Sequence, residues 1–139
     1  MHFCPMKASI VIGATAKVQL PELAVNNLHA RVDTGAATCA LHASSITIDE
    51  ERNELRVILF DPESDLYTGE ELIFSEFILR NVRNSFGRRK ARPMVETQIE
   101  LAGASHRVLV GFSDRTLLTY DMLIGRNLLE SGYIVDVTK

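Results

Sequence analysis

Residues 32–36 read Val-Asp-Thr-Gly-Ala, and some ninety residues later the chain reads Met122-Leu123-Ile124-Gly125-Arg126-Asn127-Leu128-Leu129. An Asp-Thr-Gly turn puts the Asp33 carboxylate on a tight loop. Gly35 removes a Cβ, so that a second backbone or a bound molecule can come close. The Thr34 hydroxyl can hydrogen-bond across the loop and fix it. The later apolar-apolar-Gly run, Leu123-Ile124-Gly125, can pack behind such a loop without crowding it. Either run alone is a weak signal. The two in this order, each following strand-like residues, are far more specific.

Short strand patterns dominate the rest. Ser9–Ile12 is apolar and β-branched, and Lys17–Leu20 alternates. Leu28, Ala30 and Val32 alternate with polar neighbours and lead directly into Asp33. Leu55–Phe60 reads as a strand stopped by Asp61-Pro62. Val95, Thr97, Ile99 and Leu101 alternate with Glu96, Gln98 and Glu100, the period of a half-buried strand. Ala102-Gly103-Ala104 turns that strand into a hairpin partner at Arg107–Val110. Thr116–Tyr120 is a further strand candidate, and a turn of helix is expected after Ala40. Asn127–Ser131 predicts a short helix ended by Gly132, and Tyr133–Val137 a final strand. The fold class is therefore mostly β, with the spacing of a small closed barrel and one short C-terminal helix. Length predicts one domain over residues 1–139.

With 46% hydrophobic residues the chain is globular rather than disordered. It has no apolar run of membrane-spanning length, and its first residues do not read as a signal peptide. Two cysteines, Cys4 and Cys39, make no disulfide framework. The expectation is a cytoplasmic protein with no membrane partner. Cys39 reads as a small buried residue packing the Asp33 motif, with a thiol nucleophile as the sharper alternative.

The chain resembles the retropepsin-like aspartic proteases, the single-motif homodimeric relatives of pepsin. The resemblance rests on Asp33-Thr34-Gly35-Ala36 and on Ile124-Gly125-Arg126-Asn127-Leu128-Leu129. Within that superfamily it is most similar to a bacterial family labelled "ATP-dependent zinc protease". That family's pattern runs through Val18–Leu23, Ala30–Ala36, Thr38, Ala40–Ala43, Val82–Gly87, Arg92-Pro93, Asp114-Arg115 and Met122–Arg126. The resemblance implies Asp33 as the catalytic residue, with Thr34, Gly35, Ala36, Ile124, Gly125 and Arg126 supporting its loop. It also implies a hairpin flap, by chain order at residues 77–99. The tip residues Ser85, Phe86, Gly87 and Arg88 would touch substrate, and Gly87 would supply mobility. Residues 47–76 exceed the compact template and are expected as an extra hairpin or loop. One position departs from the pattern. The family carries Arg, and retroviral proteases Asp, where this chain has Ala37. Arg126 is thereby left to Asp114, Asp121, Glu130 or solvent.

Acid proteolysis of this kind uses two carboxylates that share a proton. One ionised Asp deprotonates the attacking water, and the other, kept neutral by like-charge repulsion, donates to the carbonyl oxygen. A chain with one motif must dimerise to bring two copies of Asp33 together. The expected activity is that of an aspartic endopeptidase, with itself and a peptide as partners and with no cofactor. The rival reading is a non-catalytic peptide-binding or regulatory module linked to a protein glutamate-ligase system.

Nothing in the residues supports zinc or ATP. There is no His-Glu-x-x-His, no Cys-x-x-Cys and no phosphate-binding Gly-rich loop. His42 reads as a helix-start or surface residue rather than a ligand. The net charge of −3 hides segregation. Residues 80–92 carry six cations and no acid, while 49–76 hold ten of the eighteen acids. The basic run is either a solvated hairpin facing that acidic stretch, or a cationic lid that steers an acidic substrate. Nucleic acid is not expected as a partner, since the chain is acidic overall and lacks Trp.

Overall fold

The computed structural model describes residues 9–83, 87, 89–115 and 118–139. The flap-tip candidates Ser85, Phe86 and Arg88 lie outside them. The strands are β1 (Ile10–Ile12), β2 (Thr15–Leu20), β3 (Val25–Val32), β4 (Cys39–Asp49), β5 (Glu54–Leu59) and β6 (Glu71–Phe74). They continue with β7 (Ile78–Arg83), β8 (Arg89–Leu101), β9 (Ala104–Ser113), β10 (Met122–Ile124) and β11 (Tyr133–Val135). The helix, α1 (Arg126–Leu129), is a single turn.

Six strands close into a barrel in the order β10-β3-β2-β8-β9-β4, and β4 returns to β10. The closure depends on β10. It lies parallel to β3, with Leu123 opposite Arg31, and antiparallel to β4, with Leu123 opposite Ala40. A three-residue strand near the C-terminus thus separates the two strands that flank Asp33. Inside the barrel, the apolar members of each alternating strand meet. Val18, Leu20, Leu41, Ile99, Leu101, Val110 and Ile124 are all at most 1% exposed.

Beyond the barrel, the second half of β4 continues with β5 and β6 as an antiparallel extension. This is the extra hairpin expected at residues 47–76. Phe74 of β6 leans on Phe112 of β9, with ring centroids 5.7 Å apart, and fastens the extension to the core. β7 and β8 form the hairpin expected as the flap. Ala102 and Gly103 turn β8 into β9 with φ of +52° and +82°, the paired positive values of a tight hairpin turn. β1 and β11 form a separate parallel pair.

Three local expectations differ from the structure. No helical turn follows Ala40: β4 begins at Cys39, because β10 and β9 on either side already satisfy the backbone there. The helix starts one residue earlier and is shorter than Asn127–Ser131. Of the strand expected at Thr116–Tyr120, residues 116 and 117 lie outside the described residues, and residues 118–120 are bends and loop. Leu118 N–H donates to Arg115 O at 2.8 Å and Arg115 Nε to Tyr120 O at 3.1 Å, which turns the segment on itself. Among the described residues no helix is long and apolar enough to cross a membrane.

The Phe74–Phe112 contact gives a direct test. Phe112 is 1% exposed, so Phe112→Ala should cost about 3–5 kcal/mol in chemical denaturation. Ile73→Ala, one residue from Phe74 but 53% exposed, should change stability by no more than about 0.5 kcal/mol.

Candidate active site

Strand β3 ends at Val32, and Asp33 begins the turn. Its backbone N–H donates to Ile124 O at 2.9 Å, so the two sequence motifs meet directly. Its Oδ1 accepts the Gly35 N–H at 2.9 Å, and its carbonyl accepts the Ala36 N–H at 3.2 Å. The carboxylate is therefore held by its own loop and left half-buried. Thr34 is exposed. Its carbonyl accepts a bond from Arg126 Nη1 at 3.1 Å. That bond answers the question raised by Ala37. Among the described residues Arg126 forms no ion pair and grips the Asp33 loop through backbone instead.

Gly125 sets how close the second motif can come. A Cβ at this position would lie 2.9 Å from Thr38 Cα and nearer still to the Thr38 carbonyl. Only glycine lets the two backbones pack at this distance. Arg126 N–H then donates to Ala36 O and Asn127 N–H to Ala37 O, at 2.8 and 3.1 Å. The Asn127 side chain finishes the clamp. Its Nδ2 donates to Leu109 O at 2.9 Å, and its Oδ1 accepts the Cys39 N–H at 3.2 Å. Sequence reasoning did not single out Asn127, because an Asn inside a predicted helix shows no sign of a long-range bond.

Asp33 lines a cavity of about 340 Å3 with Arg31, Arg115, Leu118, Thr119, Tyr120 and Leu123. Arg115 is the feature that sequence reasoning valued least. It is only 8% exposed despite its charge. Burial holds its pKa below the usual arginine value. Arg92 and Arg31 nearby push the same way, while Asp121 and Asp33 oppose them. An arginine remains charged under such perturbation, so a fixed cation stands close to the candidate catalytic carboxylate. Arg92 belongs to the basic run, and its stem lies against Gly111, where a Cβ would come 2.6 Å from Arg92 Cδ. It is half-buried, and burial lowers its pKa. Arg80, Arg89 and Lys90 are exposed.

The arginine ion pairs among the described residues run elsewhere: Arg56 to Glu54 and Glu71, and Arg107 to Glu22 and Glu96. Arg80, Arg89, Lys90 and Arg92 of the basic run form no ion pair with described residues of the acidic stretch. A larger cavity of about 510 Å3 lies beside Leu23, Phe74, Phe77 and Met94. It lacks Asp33, and its Glu22 and Glu96 are tied to Arg107, so the smaller cavity is the candidate site.

His42 is neither at a helix start nor on the surface. It lies on β4 with no exposure. His29 meets Tyr120 edge-on, and His106 Nε2 lies 2.8 Å from the Tyr133 hydroxyl. Among the described residues no group of three His, Cys, Asp or Glu side chains converges as metal ligands do.

The family-level comparison agrees with this geometry. A family model described as retropepsin-like aspartic endopeptidase RimB matches residues 11–139. The chain belongs to this RimB-like family. Two curated relatives named "Probable alpha-L-glutamate ligase" are similar to it. The one from Parasynechococcus marenigrum is 31% identical over 137 residues, and the one from Shewanella pealeana 28% over 129. They cover 94% and 91% of this chain, which spans only 28% of the length of each. A solved Legionella pneumophila protein of unknown function superposes with a TM-score of 0.70 at 25% identity, covering 94% of this chain and 95% of that one.

Cys39 decides between the two readings of its thiol. It is 0% exposed, and burial pushes its pKa up to about 11. Its sulfur accepts the Gly125 N–H at 3.4 Å, as a packing residue of the clamp. Because the pKa is raised, the thiolate gains population only in strong alkali. At pH 8 roughly one thiol in a thousand would be ionised. Iodoacetamide should therefore leave Cys39 unmodified in the native protein at pH 8 and label it on unfolding, as read by peptide mass mapping. Rapid native labelling would restore the nucleophile reading.

Proposed function

We propose that the protein is an aspartic endopeptidase acting as a homodimer. The observation that carries this reading is the Asp33 carboxylate, held by Gly35 N–H and locked to Ile124 through its own N–H, at the floor of a cavity sized for side chains. Two such loops facing across a two-fold axis give the paired carboxylates that the chemistry requires. A water between them loses a proton to the ionised Asp33 as it attacks the peptide carbonyl. The neutral Asp33 of the other copy protonates the carbonyl oxygen. The tetrahedral diol then collapses, and the nitrogen leaves with a proton returned from the pair. No covalent intermediate and no metal step enters. The β7–β8 hairpin closes over the site and excludes bulk water.

Exposed apolar side chains on the terminal β1–β11 pair and in the turn after it support the dimer. Val11 is 39%, Ile134 53% and Val137 77% exposed. The cytoplasm is the proposed location.

Asp33→Asn should lower peptide-bond cleavage by at least about 10²–10⁴-fold while leaving sedimentation and melting unchanged. Ile134→Asp should shift the sedimentation equilibrium toward monomer and reduce activity in step with dimer loss. Full cleavage by Asp33→Asn, or by a protein monomeric under assay conditions, would refute the mechanism.

The substrate class follows from charge. Arg31 and Arg115 line the Asp33 cavity, and the half-buried Arg92 lines a neighbouring cavity and acts on Arg115. They favour peptides with carboxylate side chains at the cleaved bond. Arg92→Gln and Arg115→Gln should each raise KM for an acidic peptide by about 10-fold, the size expected for losing about 1.4 kcal/mol. KM for a neutral peptide of equal length should change far less. Raising salt should weaken the acidic peptide selectively, because exposed charge is screened over about 8–10 Å. Equal effects on both peptides would exclude charge recognition.

One observation favours a second reading. The relatives that match nearly this whole chain are named glutamate ligases, and the chain corresponds to only 28% of their length. A module that modulates such a ligase would use the same cavity to hold an acidic peptide without cutting it. Binding of an acidic peptide with no turnover by the wild-type dimer would select this reading.

A further inference from the structure

Behind the Asp33 cavity lies a histidine that the mechanism above does not use. His42 is fully buried, and every polar group it carries faces something. Its backbone N–H donates to Asp121 O at 2.7 Å, and its carbonyl accepts the Phe60 N–H at 3.3 Å. Its ring Nδ1 accepts the Arg115 N–H at 2.7 Å. Its Nε2 lies 2.9 Å from Asp61 Oδ1, although off the line of a hydrogen bond. Asp114 Oδ1 is 3.9 Å from Nδ1.

A backbone N–H can only donate, so Nδ1 has to present its lone pair to Arg115. The ring proton then sits on Nε2, on the side of the Asp61 carboxylate, which can only accept when ionised. Phe60 shows how this side is built. It is a buried aromatic at φ +64°, a left-handed conformation that bulky residues avoid. That bend at the end of β5 turns the chain so that Asp61 reaches the ring.

The two bonds to His42 also share a geometry. The ring holds Arg115 and the backbone holds Asp121, so one residue of β4 ties both ends of the segment 115–121. That segment supplies Arg115, Leu118, Thr119 and Tyr120 to the cavity containing Asp33. We propose that His42 is the positioning residue of this cavity: its neutral ring fixes Arg115 beside Asp33 without itself touching substrate. The proposal rests on reading the Asp33 cavity as the peptide-binding cleft.

Two substitutions separate positioning from mere packing. His42→Asn can place its amide oxygen near the position of Nδ1 and still accept the Arg115 N–H. His42→Leu fills the space with no acceptor. With the full chain and an acidic peptide, His42→Leu should raise KM about tenfold with kcat within about threefold, and His42→Asn should recover most of the KM. The same order should appear in calorimetric binding of that peptide to the Asp33→Asn protein, which cannot turn it over. Independently of any substrate, ¹⁵N-histidine spectra of the wild-type protein at pH 7 should show Nδ1 unprotonated and Nε2 protonated. Amide exchange at Arg115 should be slow in the wild type and His42→Asn and faster in His42→Leu. If peptide binds but is never cleaved, the enzyme reading fails, and the binding arm still decides this proposal. A ring with its proton on Nδ1, equal Arg115 exchange in all three proteins, or equal losses in His42→Leu and His42→Asn would overturn it. If His42→Leu does not fold, the wild-type ring spectrum and His42→Asn binding decide, and weak binding by His42→Asn overturns it.

Discussion

The structure depends on the close approach of Gly125 to the backbone of Thr38. Because no Cβ intervenes, β10 can enter the gap between β3 and β4, and the barrel closes. The link from Asp33 to Ile124 and the Asn127 clamp are downstream of that contact. Asp33 N–H reaches Ile124 only because β10 runs parallel to β3. Asn127 reaches Cys39 and Leu109 only because α1 starts immediately after β10. A larger residue at position 125 would push apart the two loops that orient the carboxylate. The penalty would combine overpacking with the loss of several backbone hydrogen bonds, not the loss of one contact.

How much could be read from the chain follows from the range of each interaction. The strands with period-two alternation were legible, because their pattern depends only on which face meets the core. The Asp33 and Gly125 motifs were legible as partners because both are short runs of unusual composition. Residues 118–120 were misread, since their apolar and β-branched neighbours look like strand, while the bonds at Arg115 that bend them come from a local turn. His42 was misread because nothing adjacent in sequence shows that Arg115 N–H and Asp61, 73 and 19 positions away, converge on it. Arg115 was passed over for the same reason. A buried cation is recognisable only when its surroundings are known.

The charges fall into two groups with different physics. Arg56 and Arg107 bridge pairs of carboxylates at the surface, where solvent screens them and they contribute little. Arg92 and Arg115 are withdrawn from water beside other cations, an arrangement that stability alone does not favour. Groups held at such a cost are characteristic of functional sites. The acidic extension at β5 and β6, by contrast, pairs Arg56 with its own Glu54 and Glu71, turns Asp61 toward His42 and leaves Glu63, Asp65 and Glu70 to solvent.

The late position of β10 also has a consequence for synthesis. Asp33 leaves the ribosome long before residues 122–124, and at about 5–20 residues per second the gap is roughly 5–20 s. During that time β3 and β4 have no strand to separate them, and the Asp33 loop has no Ile124 carbonyl to hold it. The nascent chain therefore carries the carboxylate without the loop geometry that orients it. A site built this way is unformed while its first half is being made, and its two halves are joined only when residues 122–124 are available to fold.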